Sequence, residues 1–281
     1  MPQTAGAAIL DQVISNELDA REQALIAVAR EAGELARELF SKPIEVKLKG
    51  KQDYITEADG QVERLIISRL QARFPQDAFL GEEGGASGEG DALWVIDPID
   101  GTANFAHGIP HFCVSIAFMA GTELALGAIA APMYGELYRA RAGRGAFLND
   151  RPMRVTDADI KQAVVELGWS SRRPVRAYTA LIERVLGTGA TFLRAGSGAL
   201  GLAYVAAGRT HGYCEMHINS WDTLAGLLMV REAGGWTNDF LASDGLRRGN
   251  AVLACAPGLK DALVTATGVG QANEKLERRI S

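Results

Sequence analysis

Long basic runs, clustered cysteines and unbroken apolar stretches are all missing from this chain, and each absence removes a class of function. Lysine and arginine number 29 against 34 aspartates and glutamates, for a formal net charge of −5. No basic run offsets that balance, so a nucleic-acid partner is not expected. The only cysteines are Cys113, Cys214 and Cys255, widely spaced and set in apolar runs. That pattern argues against a disulfide framework or a zinc cluster and reads as reduced core thiols in a cytoplasmic protein. Asp11, Glu17 and Asp19 interrupt the apolar residues near the N-terminus, so neither a signal peptide nor a membrane anchor is expected. A Walker loop and a dinucleotide fingerprint are lacking, and Gly196-Ser197-Gly198 does not have the spacing of a serine-hydrolase elbow. His107 and His111 lie four apart, but Pro110 between them prevents a zinc pair on one helix face. Both read as structural or rim residues.

What is present is an ordinary globular composition, 47% hydrophobic and 22% charged over 281 residues. That length supports one large domain or two intimate halves. Residues 1 to about 18 read as an extension or a short helix. From Asp19 to Phe40 the apolar positions recur at helical spacing, and Pro43 ends the run. Ile44 to Leu48 alternates as a strand does, and Lys49-Gly50-Lys51 makes a turn. Thr56 with Asp59 marks a second helix start, with Val62, Leu65, Ile66, Ile67 and Leu70 as its apolar positions. A brief strand over Ala78 to Leu80 leads into Gly81-Glu82-Glu83-Gly84. Extended segments at His111 to Ala120, Glu123 to Ala131, Glu136 to Ala140 and Gly145 to Leu148, separated by glycine turns, predict an antiparallel meander. Near Arg151-Pro152 the rhythm changes to alternating strands and helices. The reading is an α+β half over residues 1–150, with an antiparallel sheet, and an α/β half over residues 151–281, stacked in layers.

The chemistry concentrates in Trp94-Val95-Ile96-Asp97-Pro98-Ile99-Asp100-Gly101-Thr102. A short buried strand runs to Ile96, and Pro98 fixes its own φ and lacks an N–H, so the chain is predicted to leave as a stiff turn. Asp97 and Asp100 then face one space into which the Ile99 carbonyl can point. Gly101 permits a close backbone approach, and Thr102 suits the first position of a short helix. Two carboxylates, a carbonyl and a helix N-terminus suit a hard divalent cation with a phosphate beside it. Taken alone, Asp-x-x-Asp is equally a turn whose aspartates bond their own backbone.

Three further acidic positions stay open on their own. Glu82, flanked by glycines with Glu83, reads as a solvated turn or as a ligand that also holds an attacking water. Asp222 suits the first turn of a helix capped by Ser220, or a ligand position; Glu215, seven residues earlier at a strand end, favours the latter. Asp53 reads as surface polarity or as part of the same site.

Together, Gly81-Glu82-Glu83, Asp97-Pro98-Ile99-Asp100-Gly101-Thr102-Ala103-Asn104-Phe105 and Trp221-Asp222-Thr223-Leu224-Ala225-Gly226 resemble the three signatures of the inositol monophosphatase family, in order and in spacing. The resemblance implies a layered αβαβα sandwich, a homodimer and an Mg2+-dependent phosphomonoesterase with two or three ions per site. It implies that Glu82, Asp97 and the Ile99 carbonyl hold one ion, that Asp97, Asp100 and Asp222 hold a second, and that Asp53 supports a third. Glu82 and Thr102 would orient the attacking water, Gly101 and Thr102 would donate N–H groups to the phosphate, and Gly196, Ser197, Gly198 and Glu215 would face the alcohol.

Converging carboxylates need cations to ionise together, and all-oxygen ligation favours Mg2+ over Zn2+. Water activated by paired metals needs no covalent intermediate. The expected substrate is a small phosphorylated metabolite, inositol 1-phosphate first. Histidinol phosphate, fructose 1,6-bisphosphate and phosphoadenosine phosphate are the family alternatives. Asn104-Phe105 favours the inositol and fructose branches. A different class of function, a binding role in a transcription complex, has no physical need of the whole acidic set. A structural Ca2+ site is disfavoured by Glu82 and Thr102 beside an open position. Arg172 and Arg173 read as a solvated loop or as partners of a second acidic group.

Overall fold

Ala24, Leu25, Val28, Ala29, Ala32 and Ala36 recur three and four apart and form the buried stripe of one long helix, α1 (Ala5–Phe40). The computed structural model describes residues 5–42, 46–50 and 53–271, with side chains for 17–42 and 56–271. Helix α1 begins well before the expected Asp19 because no proline interrupts the chain between Pro2 and Pro43. Pro43, Ile44, Glu45 and Lys51, which carried part of the sequence reading, lie outside the described residues.

Strands β1 (Val46–Gly50) and β2 (Asp53–Thr56) pair antiparallel, and α2 (Glu57–Arg73) follows directly. The predicted start of α2 is realised as a capping box. The Asp59 carboxylate accepts from the Thr56 N–H at 2.8 Å and from its hydroxyl at 2.6 Å.

The next elements are β3 (Ala78–Gly81), β4 (Gly85–Ser87), β5 (Ala92–Asp100), α3 (Thr102–Ala106), β6 (Cys113–Ala120), β7 (Glu123–Ala131), β8 (Glu136–Arg141), β9 (Gly145–Leu148) and β10 (Arg151–Pro152). The strands form one sheet in the order β10-β9-β8-β7-β6-β5-β3-β4. From β6 to β9 it is the expected antiparallel meander, which β5 and β10 extend antiparallel at its two ends, and β3 joins β5 in parallel.

The remainder comprises β11 (Val164–Leu167), α4 (Val175–Gly187), β12 (Thr191–Leu193), α5 (Gly198–Ala206), β13 (Gly212–Ile218), α6 (Ser220–Glu232), β14 (Trp236–Thr237), α7 (Gly245–Arg248), β15 (Asn250–Cys255) and α8 (Lys260–Thr267). This sheet, ordered β12-β11-β13-β15-β14, is mixed. Strand β11 runs parallel to both neighbours, whereas β15 is antiparallel to β13 and β14. The link from β14 to β15 contains only the short α7, too little for a helical crossover, so the chain doubles back.

Period-two alternation divides the large sheet between two cores. Trp94, Ile96, Phe118 and Leu126 face α1 and α2, whose Leu25, Ala29, Ile66 and Leu70 complete one cluster. Val95, Ala117, Ile129 and Tyr138 face α5 and α6, and Val252 and Ala254 of the second sheet close that cluster from beyond. A third cluster sets Val165, Cys214 and Leu253 against Leu181 and Val185 of α4 and Leu263 of α8. The order of layers is therefore α1/α2, sheet, α5/α6, sheet, α4/α8: the αβαβα sandwich. Gly127 makes the central packing possible, since a Cβ there would lie 2.9 Å from the Ala225 Cα of α6. All three cysteines are buried thiols, as expected.

Candidate active site

Residues three apart on a regular strand point to opposite faces, so Asp97 and Asp100 would diverge if β5 were regular. It is not. Asp97 pairs with Ser115 and Asp100 with Cys113, leaving one more residue on β5 than on β6 between these pairs. This bulge, at Pro98-Ile99, turns both carboxylates to the α5/α6 side, while Ile99 packs with α1 and α2. The strand therefore does not end at Ile96 as predicted. It continues through Asp100, with the proline where no ladder donor is required.

Asp97 is 1% exposed. Its Oδ1 accepts from the Ile99 N–H at 3.0 Å, while the buried Oδ2 has no hydrogen-bond partner. Asp100 sits at the start of α5, accepting from the N–H groups of Gly198 (3.2 Å) and Ala199 (2.7 Å) and from the Ser197 hydroxyl. Asp222 is in the first turn of α6 and accepts from the Asn219 N–H at 3.0 Å. One carboxylate oxygen from each of Asp97, Asp100 and Asp222 falls within 4.8 Å of the others. The parallel pairing of Gly81 with Ile96 then sets Glu82 beside Asp97, with the Glu82 N–H donating to the Ile96 carbonyl at 3.1 Å.

Burial pushes Asp97 well above the usual carboxylate range, and the charges of Glu82, Asp222 and Asp100 push it further. Asp222 is raised to about 7 by burial and then by Asp100. Burial raises Asp100 too, against the opposing pull of its bonds from Ser197 and α5. A partnerless buried oxygen within an all-oxygen cluster that resists ionisation fits a hard divalent cation. Among the described residues neither His107 nor His111 joins it. Their Nδ1 atoms lie 2.7 Å from the Ala103 carbonyl and 3.1 Å from the Tyr134 hydroxyl.

Gly101, at φ 97°, turns the chain from β5 into α3; a Cβ there would lie 3.0 Å from the His111 carbonyl. Thr102 opens α3. Its hydroxyl lies 2.9 Å from the Ile99 carbonyl and 3.3 Å from Asp59 Oδ1. Asp59 was legible only as a helix-capping residue, because its contact with Thr102 spans 43 positions. Glu63 was not singled out either. Buried beneath the Glu82 turn, it accepts the Glu83 N–H at 3.1 Å and fills the space where a Gly81 side chain would go. Asp53 lies in β2, and its side chain is outside the described residues.

A cavity of about 700 Å3 is lined by Glu82, Asp100 and Asp222 together with Gly196, Ser197, Gly198 and Glu215. The N–H groups of Gly198 and Ala199 are taken up by Asp100, and Ser197 both donates to Asp100 and accepts from Leu200 as the cap of α5. Ser220 does not cap α6 as expected. The cap is Asn219, and the Ser220 hydroxyl donates to the Leu246 carbonyl at 2.7 Å. Glu215 accepts from the Tyr213 hydroxyl at 2.7 Å, and burial lifts its carboxyl to about 8. Glu166, missed in the sequence, also lines the cavity. Its Oε1 accepts the Ala195 N–H at 3.2 Å, its buried Oε2 has no partner, and burial raises it to about 7. Asn104 clamps this wall to α3, donating to the carbonyls of His111 (2.7 Å) and Ala195 (3.0 Å).

Residues 17–271 match the inositol monophosphatase family. An inositol-1-monophosphatase of Rhizobium meliloti is 42% identical over 76% of this chain and 80% of its own length. A protein of Xylella fastidiosa named Nus factor SuhB is 40% identical, covering 79% and 83%. The crystal structure of the extragenic suppressor protein suhB from Bartonella henselae superposes with a TM-score of 0.84 at 35% identity, covering 89% of this chain and 99% of that one.

Proposed function

The chain belongs to the inositol monophosphatase family, and from that premise we propose that it is an Mg2+-dependent phosphomonoesterase of small alcohol or sugar phosphates, with inositol 1-phosphate the first candidate. The observation that carries the reading is the partnerless Asp97 Oδ2, buried within reach of Asp100 and Asp222. Glu82, Asp97 and the Ile99 carbonyl would hold one cation, Asp97, Asp100 and Asp222 a second, and Asp53 would support a third. Bound Mg2+ supplies the charge that lets these carboxylates ionise side by side and polarises water and phosphoryl oxygens for in-line displacement.

The remaining work falls to the chain's own groups. The first N–H groups of a helix have no intrahelical partner, so those of Gly101 and Thr102 are suited to phosphate oxygens. The Thr102 hydroxyl, set between the Ile99 carbonyl and Asp59, would orient the attacking water together with the Glu82 carboxylate. Glu215 and the Gly196–Gly198 wall would meet the hydroxyls of the leaving alcohol, with Ser197 acting through Asp100. Chelation by EDTA is expected to abolish phosphate release from inositol 1-phosphate and added Mg2+ to restore it. Turnover that survives chelation would reject the assignment. Asn104→Ala, which removes the clamp, is expected to cost about 1–3 kcal/mol of stability and to raise KM more than it lowers kcat. Thermal melts and steady-state kinetics on the same preparation check both halves.

No helix among the described residues is long and apolar enough to cross a membrane, and a cytoplasmic homodimer is part of the proposal. The sequence-based exclusion of nucleic-acid partners is withdrawn, because relatives named Nus factor SuhB point to transcription assemblies that net charge does not rule out. A second reading, favoured by those names, is a partner in such an assembly. It would survive the loss of catalysis, so an Asp97 variant that retained the cellular role would separate the two.

A further inference from the structure

The wall of the cavity carries two guanidinium groups that have no part in the cation and water roles set out above. Arg172 and Arg194 both line it, alongside the acidic residues. Neither takes part in any of the ion pairs seen among the described residues, although the Arg194 charge is felt by Glu166 and Glu215. Unpaired arginines facing bulk water are ordinary, but Arg172 is not loosely placed. Its Nη1 donates to Asn219 Oδ1 at 2.7 Å and to His217 Nδ1 at 3.1 Å. The His217 Nε2 in turn lies 3.1 Å from the Arg248 carbonyl, which assigns the ring proton to Nε2 and leaves Nδ1 as an acceptor. Burial, with the nearby Arg172 charge, holds that imidazole neutral by lowering its pKa.

Asn219 is the cap of α6, whose first turn presents Asp222. A fixed guanidinium therefore stands one helix cap away from the acidic cluster and opens on the same space. Its remaining N–H donors are arranged as a planar fork, the geometry that receives a phosphate or carboxylate in two parallel bonds. A cavity of about 700 Å3 has room for more than a single phosphate.

We propose that Arg172, supported by Arg194, binds a second anionic group of the substrate, so that the preferred esters carry a further phosphate or a carboxylate beyond the bond that is cleaved. This rests on the phosphatase reading of the same cavity. The competing role for these arginines is to offset the repulsion among the carboxylates.

The test compares kcat/KM for two matched pairs: inositol 1-phosphate against an inositol bisphosphate, and glycerol 3-phosphate against 3-phosphoglycerate. The four are assayed with wild type, Arg172→Gln, Arg172→Lys and Arg194→Gln, each checked for a native melt. Wild type is expected to favour the doubly charged member of at least one pair by tenfold or more. Which pair responds tells phosphate from carboxylate. Arg172→Gln should shrink that ratio by about tenfold, acting mainly through KM, and Arg194→Gln less, while Arg172→Lys restores part of it. No preference in wild type, or equal losses for both members of a pair in Arg172→Gln, would overturn the proposal, the latter in favour of charge compensation. Should none of the four esters be hydrolysed, the phosphatase reading falls. The arginine site is then judged by equilibrium binding of the same compounds in Mg2+. Tighter binding of the doubly charged member, lost in Arg172→Gln, sustains it, and equal binding rejects it.

Discussion

Asp97→Asn is expected to abolish Mg2+-dependent phosphate release, a loss of about a thousandfold or more in kcat/KM, while the protein stays folded. The two halves of that expectation have one cause. Asp97 lies at 1% exposure with three other carboxylates around it, and burial, then Glu82, Asp222 and Asp100, hold its pKa far above the ordinary range. A carboxyl whose folded-state pKa is raised binds its proton more tightly in the folded than in the unfolded chain. Its ionisation therefore costs stability as the pH climbs from the ordinary carboxylate range towards the raised value. Without a cation, asparagine of the same shape escapes that cost and keeps the Oδ1 acceptor for the Ile99 N–H. The cation-free variant should thus melt at or above the wild-type temperature at neutral pH. Mg2+, which should raise the wild-type melt by mass action, should raise that of the variant much less. Phosphate-release assays and melts with and without Mg2+ provide the check. Near-normal turnover in Asp97→Asn would end the metal assignment.

Trp94→Ala should give the largest loss of stability, about 3–5 kcal/mol for the cavity. At this chain length that corresponds to a fall of roughly 10 °C in Tm. Trp94 is fully buried on the outer face of β5, with its ring 4.7 Å from Phe118 and 6.2 Å from Phe74. Its indole N–H donates to Asp77 Oδ2 at 2.9 Å, and Arg21 of α1 holds the same carboxylate with bonds of 2.8 and 3.0 Å. One side chain thus ties the strand that carries Asp97 and Asp100 to the long helix beneath it. Trp94→Phe keeps one aromatic ring in the core but loses both the N–H bond and part of the packed volume, and is expected to cost less than the alanine variant, about 1–3 kcal/mol. Urea and thermal unfolding of the two variants measure both losses. If Trp94→Ala stayed within about 1 kcal/mol of wild type, β5 could not owe its position to this contact.

Elements governed by neighbours in the chain could be read from the residues alone. The stripe of α1, the Thr56–Asp59 start of α2 and the glycine-punctuated strands β6 to β9 depend on contacts three or four residues apart, or on alternation within one strand. The same holds for the density of acidic residues around Asp97. The long reach of α1 towards Ala5 shows the limit even there, because a helix without a breaker continues past the point where its apolar period is obvious.

What the residues could not reveal is which oxygen meets which. Asp100 receives its hydrogen bonds from a helix that begins 98 positions later, and the Thr102 hydroxyl meets Asp59 across 43. The bulge that aligns Asp97 with Asp100 exists only because β5 is paired against β6. The reversal of β15 and the fixing of Arg172 beside the α6 cap likewise depend on how layers stack. Local pattern determined the kinds of element and the acidic character of the central motif, because those follow from residue identity and from steric and hydrogen-bonding preferences within a few residues. Tertiary packing alone decided that Glu82, Asp97, Asp100 and Asp222 share one space, since burying the apolar faces of five layers together brings distant carboxylates side by side.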